Sequence, residues 1–295
     1  MIHTISNDKL IVSIDSFGAE LSSIKKNGLD YEYLWQGSED SWASRASILF
    51  PLIGRLKGKS YTYKDVEYDI ASHGFARATD FEVENKAYDS ITFSFGSNAD
   101  TFVMYPFDFK FSIKFSLVGN RILKEQFVEN LSDGEMYFEV GGHDGYSIAF
   151  SDDEEMTDYY FEFLEGVDFR TYTFDENLML DKDMKEISHE GNVLPISMEL
   201  FKDDALVMKV DDVDKREIRL LNKNSGYNIK VDFKDFKYLG LWTRYLDYET
   251  KFVCIEPWTS LPDCNYLGKE LVDKVDIEKL SAGENRKFEY IIEIN

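Results

Sequence analysis

Two histidines and one glutamate stand in segments whose make-up suits proton transfer. His73 lies in Ser72-His73-Gly74-Phe75-Ala76-Arg77, and His143 lies in Val140-Gly141-Gly142-His143-Asp144-Gly145. Glycine beside each admits a ligand close to the backbone, or a backbone angle that other residues avoid. Glu256 closes the apolar run Phe252-Val253-Cys254-Ile255 and is followed by Pro257 and Trp258. A carboxyl in such surroundings loses water, its pKa rises, and it becomes suited to general base work near neutrality. Each residue also has a plainer reading. Either histidine can be structural, and Glu256 can be a strand-edge carboxylate paired with Arg or Lys. Arg55 follows Gly54 after an apolar stretch and can offer a planar fork of donors to hydroxyls, or stand on a surface turn. Trp258 can stack on a sugar face or fill core space. His3 and His189 are expected to be exposed loop residues.

Other chemistries find little support. The histidines are dispersed, and neither H-E-x-x-H nor Cys-x-x-Cys occurs, so metal binding is a poor fit. No G-x-S-x-G elbow marks a serine hydrolase. No glycine-rich phosphate loop is present. No metal or cofactor is expected. Paired carboxylates of the glycosidase kind stay open, because acidic residues occur throughout.

The elements that must carry these residues are strands. Phe107, Phe109, Phe111, Ile113, Phe115 and Leu117 alternate with polar residues, which puts the two sets on opposite faces. Residues 91–95, 227–233 and 288–294 repeat the pattern. Asn27-Gly28, Gly119-Asn120, Asp133-Gly134 and Ser225-Gly226 separate such runs as turns. Helices are scarce: residues 98–105, ended by Pro106, and a short turn over 276–280 are the candidates. Residues 151–190 are acidic and irregular and are expected to form long loops with an inserted hairpin. One polar and one apolar face per strand predicts antiparallel sheets packed on a shared core. No linker or fixed-period repeat divides the chain, so residues 1–295 read as a single all-β domain.

The charge balance narrows the partners. With 56 acidic and 33 basic side chains the net charge is −23, a field that repels nucleic acid and anionic lipid. No basic and apolar leader opens the chain, and no apolar run approaches the ~20 residues of a membrane span. Two cysteines, Cys254 and Cys264, are too few for a disulfide framework. A cytoplasmic protein with free thiols is expected.

Taken in order along the chain, several segments resemble the aldose 1-epimerase (galactose mutarotase-like) superfamily, and its LacX-like branch in particular. They are Phe17-Gly18-Ala19-Glu20-Leu21, Leu34-Trp35-Gln36-Gly37, Phe50-Pro51-Leu52-Ile53-Gly54-Arg55, His73-Gly74-Phe75-Ala76-Arg77, Gly141-Gly142-His143, Asp204-Ala205-Leu206 and Cys254-Ile255-Glu256-Pro257-Trp258. The resemblance implies a large antiparallel β-supersandwich and interconversion of the α and β anomers of a hexose without a cofactor. It implies Glu256 as the base at the C1 hydroxyl and His143 as the acid at the ring oxygen. His73 would help hold that oxygen, while Arg55, Asp204 and Trp258 would bind the sugar. A homodimer is left open as the assembly. The chain departs from the pattern at Gly141-Gly142 before His143, at Asp144-Gly145-Tyr146 after it, and at Leu261-Pro262-Asp263. Asp144 beside the acid is expected to raise the His143 pKa. Two alternatives accompany the main reading. One is a hexose-6-phosphate 1-epimerase, whose phosphate would need a local cluster of Arg and Lys that Arg55, Arg77 and Lys57 could supply. The other is a catalytically silent carbohydrate-binding protein.

Overall fold

The computed structural model describes residues 1–148, 153–164 and 166–295. Alternation along the strands builds two principal antiparallel sheets. The larger has nine strands in the order Val193–Pro195, Tyr159–Phe163, Glu217–Asn222, Asn228–Asp232, Asn285–Ile294, Arg121–Asn130, Phe109–Val118, Ser90–Gly96 and Glu82–Lys86. The smaller has five: Leu206–Lys209, Tyr238–Trp242, Phe252–Trp258, Gly141–Ser147 and Ala46–Leu49. Phe109, Phe111, Ile113, Phe115 and Leu117 are all buried, as their period-2 spacing predicts. They meet the smaller sheet's flank: the ring of Phe50, the residue after the Ala46–Leu49 strand, stacks on Phe111 with centroids 4.5 Å apart. This is face-to-face packing of two sheets over a shared core.

The predicted helix is present as Ala99–Met104, with Asn98 as its cap accepting from the Asp100 and Thr101 amides. The predicted helical turn over 276–280 is not. Glu278–Leu280 is instead a strand paired with Met136–Phe138, because Leu280 is buried and Glu278 is held by Lys237 and Arg286. His3 belongs to the strand Ile2–Ser6 rather than a loop, and its ring meets Phe93 edge-on at 5.5 Å. His189 is exposed and stacks on Phe169. In the acidic stretch, Arg170–Phe174 and Leu180–Glu186 form the expected hairpin. Tyr159–Phe163 corrects the loop expectation there. It joins the nine-stranded sheet, burying Tyr159, Phe161 and Phe163 while Glu162 faces Arg219. Residues 151, 152 and 165 of that stretch lie outside the described residues.

Candidate active site

The smaller sheet sets the central pair. Gly141 lies opposite Trp258 and Asp144 opposite Ile255, a register that places His143 across from Glu256. Their side chains share a face, and His143 Nε2 is 3.4 Å from Glu256 Oε1. On this strand the neighbours of His143 turn the other way. A Cβ on Gly142 would lie 2.2 Å from the Tyr290 hydroxyl, so only glycine lets the strand approach the larger sheet there.

Asp144 also points into the core, which corrects the expectation that it raises the His143 pKa. Its Oδ1 accepts from the fully buried Lys124 ammonium at 2.7 Å, and its Oδ2 accepts from the Tyr290 hydroxyl at 2.7 Å. The ammonium also lies over the Tyr290 ring, 5.0 Å from its centroid. Breaking a buried pair from one side strands the other charge, at about 3–5 kcal/mol. Asp144→Ala is therefore expected to lower the unfolding free energy by that amount in urea titrations. A cost within error of zero would show that the pair does not hold the strand.

Loops from both flanks complete the site. His73 has φ +65° and Gly74 φ +70°. A Cβ on Gly74 would lie 2.2 Å from the Phe50 carbonyl, which explains the glycine after this histidine. The left-handed histidine is a strained conformation of the sort retained at working sites. The Gly54 amide donates to His73 Nδ1 at 3.2 Å, so the imidazole proton resides on Nε2. The loop bearing Arg55 is tied down by buried charges. Glu139 accepts from the Ile53 amide at 2.6 Å and faces Lys274 at 3.6 Å, and Lys274 also pairs with Asp263. Pro262 packs where a Cβ on Gly54 would be, 2.5 Å away. The Leu261-Pro262-Asp263 departure thus serves to position the Arg55 loop.

These elements enclose a cavity of about 190 Å³ whose walls include Arg55, His73, His143, Asp204, Glu256 and Trp258. All six residues singled out from the sequence meet in one pocket. Arg55 pairs with Asp204 at 2.5 Å, and Asp204, itself at φ +86°, accepts from the Trp242 indole at 3.1 Å. Trp258 is 3 % exposed and packs in a core cluster, so it forms wall more than platform. The rings open to a ligand are Trp42 and Trp242. Trp42 stacks on His143 at 4.8 Å, and Trp242 meets His143 edge-on at 5.5 Å. Neither was singled out from sequence, where a tryptophan in a β-rich chain reads as core. Arg77 was not among the chosen site residues either, yet its guanidinium lines the same cavity. Lys57 does not join it. Its ammonium is bonded to the Asn265 and Leu267 carbonyls, so the three-residue phosphate cluster does not form.

Burial sets the protonation of the pair. Desolvation pushes the Glu256 carboxyl well above its ordinary value, and the Asp204 and Asp144 charges push it the same way. The Trp258 indole lowers it, though its N–H closes no hydrogen bond of good geometry. Desolvation and then the Arg77 charge push His143 down to about 3. His73 is pushed well below the ordinary imidazole value by burial, and then by His143, Arg77 and Arg55. His73 is therefore a neutral donor at Nε2. His143 and Glu256 form one titrating unit that holds a single proton over a wide pH range. As for metals, His143, Cys254 and Glu256 bring donor atoms within 4.8 Å of one another, a grouping that the dispersed sequence positions concealed.

Comparison with known proteins decides the relationship. The family model described as aldose 1-epimerase matches residues 1–270. The chain belongs to the aldose 1-epimerase family. Protein LacX, plasmid, of Lactococcus lactis subsp. lactis is 31% identical over 299 residues, covering 98% of each chain. A galactose mutarotase related enzyme of Lactobacillus acidophilus superposes with a TM-score of 0.94 at 32% identity, over 100% of this chain and 97% of that one. A galactose mutarotase-like protein of Lactobacillus casei gives 0.93 at 27% identity, over the whole of both chains. Within an aldose 1-epimerase framework, the altered segment after His143 has a structural reason. Asp144 makes the buried pair with Lys124 and is not among the residues lining the pocket at His143.

Proposed function

We propose that this chain is an aldose 1-epimerase that interconverts the anomers of a hexose, acting as a cytoplasmic protein on a small sugar. The observation that carries the reading is the His143–Glu256 pair, 3.4 Å apart in a pocket that also presents His73 and Arg55. Mutarotation removes one proton from O1 and delivers one to O5, opening the ring. C1 then turns about the C1–C2 bond, and the reverse transfers close the ring on the other face. A unit holding one proton is suited to this cycle, since what one member takes the other gives. Desolvation raises the Glu256 pKa and the Arg55 charge lowers it by a lesser amount. The reactive form is the one in which the shared proton sits on His143 and Glu256 is the carboxylate base. His143 then protonates O5, and the neutral His73 Nε2–H holds that oxygen by a hydrogen bond. Arg55 and Asp204 orient the hydroxyls, and Trp42 and Trp242 supply ring faces. Ring opening and closure shift electron pairs but change no oxidation level, so the cycle needs no redox group. Polarimetry of freshly dissolved α-glucose and α-galactose tests the reading: faster approach to equilibrium supports it, and a rate equal to the uncatalysed one opposes it.

One observation favours a second reading, a hexose 6-phosphate substrate. Arg77 lines the pocket beside the histidines, and its charge bears on both of them and on Glu20. C6 is attached to C5 next to the ring oxygen, so a 6-phosphate would lie on that side. Under this reading Arg77→Ala lowers kcat/KM for glucose 6-phosphate by about 10–200-fold more than it does for glucose. Equal effects on both sugars would return Arg77 to an electrostatic role. In that role its removal raises the His143 pKa, measurable by imidazole NMR titration.

A further inference from the structure

In the working form of the proton-transfer pair, the shared proton sits on His143 and Glu256 is a carboxylate. A desolvated pocket must then hold an imidazolium, which burial opposes. From the strand Phe252–Trp258, Glu256 at 3.4 Å favours that charge, and Cys254 is a neutral thiol. From residues 72–77, His73 meets the ring edge-on at 5.5 Å as a neutral imidazole, and Arg77 opposes the charge. From the strand Tyr238–Trp242, Trp242 meets the ring edge-on at 5.5 Å. On the strand of His143 itself, Asp144 turns away to Lys124. Trp42 is different, because it is stacked on the imidazole, with centroids 4.8 Å apart and planes 26° apart. An aromatic face attracts a cation, and more strongly where water is excluded.

The chain is shaped to keep the indole there. His143 and Gly145 share one face of the strand Gly141–Ser147. A Cβ on Gly145 would lie 2.7 Å from Trp42 Cζ3 and 3.3 Å from Trp35 Cβ, so a larger residue would lift the indole off the histidine. Gly145 belongs to the segment that departs from the family pattern after His143, and that departure makes room for an aromatic partner of the acid. Residues 35–45 are fastened around it. The Gly145 amide donates to the Arg45 carbonyl at 2.8 Å, and its carbonyl accepts from the Trp35 amide at 2.9 Å. The Trp35 indole and the Ser38 amide both donate to the Trp42 carbonyl at 2.8 Å. Arg244 donates to the Ser41 carbonyl at 2.7 Å. The stack runs on from Trp42 to Phe252 at 5.5 Å, and from Phe252 to Trp35 at 4.8 Å.

We propose that Trp42 is a positioning residue for the acid: its indole face holds the imidazolium form of His143 and fixes the ring plane, and Gly145 provides the room for it. The proton passes from Glu256 to His143, and Trp42 stabilises the cation so formed. The neutral ring gains no such attraction, so the contact favours the reactive form over the resting one. The kinetic part of this rests on the epimerase reading. Trp42 also borders the cavity, and the two roles differ in what they change. A lost sugar contact raises KM, whereas a lost partner of the acid lowers kcat.

The test varies Trp42 in the full chain, following anomer exchange of galactose and glucose and the His143 ring signals by NMR. Trp42→Leu, which keeps bulk and loses the face, is expected to lower kcat by about 2–30-fold, the worth of one cation–π contact, with KM unchanged. Trp42→Phe is expected to restore most of the rate, and Gly145→Ala to lower kcat with the indole still present. Fluorotryptophans placed at position 42 keep the shape and weaken the π face, so kcat should fall stepwise with fluorine number. In acid titration His143 should take up its proton at lower pH in the Trp42→Leu and fluorotryptophan proteins than in wild type, because only the protonated ring is held by the face. A raised KM at unchanged kcat overturns the proposal and makes Trp42 a sugar contact. Equal rates with ordinary and fluorinated tryptophan also overturn it and reduce the stack to packing. Should no sugar turn over, the epimerase reading fails and the titration decides alone. A lowered His143 pKa in the fluorotryptophan protein upholds the proposal, and an unchanged one refutes it.

Discussion

Glu256→Gln is expected to lower kcat by about 10²–10⁴-fold, the usual worth of a general base, while raising thermal stability. Glutamine keeps the size of the side chain and one acceptor oxygen but takes no proton from O1. The stability gain follows from burial. Glu256 is 2% exposed and its carboxyl lies well above the ordinary value, chiefly through desolvation. A carboxyl raised by folding contributes stability while it is protonated, and that contribution is lost as pH rises through its folded pKa. Glutamine never ionises, so the variant escapes the loss. Its melting temperature should match the wild type near the ordinary carboxyl pKa and exceed it increasingly toward alkaline pH. Such a trade of stability for activity is common where a charge is buried for catalysis. Wild-type turnover, or a variant less stable than wild type at alkaline pH, would remove Glu256 from the role of base.

His143→Gln is expected to cost about 10²–10⁴-fold as well, with the fold retained, because the ring supplies the acid while its ring contacts, with Trp42, Trp242 and His73, lie on its pocket side. The wild-type pH profile should carry the signature of the pair. His143 is pushed down to about 3 and Glu256 is pushed up, so between those limits the unit holds one proton. Accordingly kcat/KM should be level across that interval. It should fall below about pH 3, where both members are protonated, and again as pH rises through the Glu256 value, where neither is. Stability follows the opposite member on the acid side. A histidine depressed by folding contributes stability that is full above its unfolded pKa and lost as pH falls toward about 3. His143→Gln should therefore flatten the acid limb of the stability curve. A rate that rises steadily with pH through neutrality would instead make Glu256 a lone, independently titrating base.

Much of this arrangement is legible in the residues. Alternation from Phe109 to Leu117 fixes a two-faced strand, and the burial follows it. Apolar residues before Glu256 announce its desolvation, and glycine after His73 announces its backbone angle. The orientation of Asp144 was legible too, since adjacent strand residues face opposite ways, but its buried partner Lys124 is 20 positions away and looks like a surface residue. Tyr159–Phe163 was hidden because carboxylates surround it, although its own alternation is regular. Trp42 and Trp242 could not be sorted from core aromatics by type, because their use depends on which sheet edge they reach. The proximity of Cys254 to the pair is a matter of register, which single segments do not encode.

The most direct test of the central claim is saturation transfer between the α and β anomeric protons of galactose and glucose, run with wild-type protein and with Glu256→Gln. The account predicts faster exchange with wild type and exchange at the uncatalysed rate with the variant. Uncatalysed exchange with both proteins, or equal acceleration by both, would contradict it.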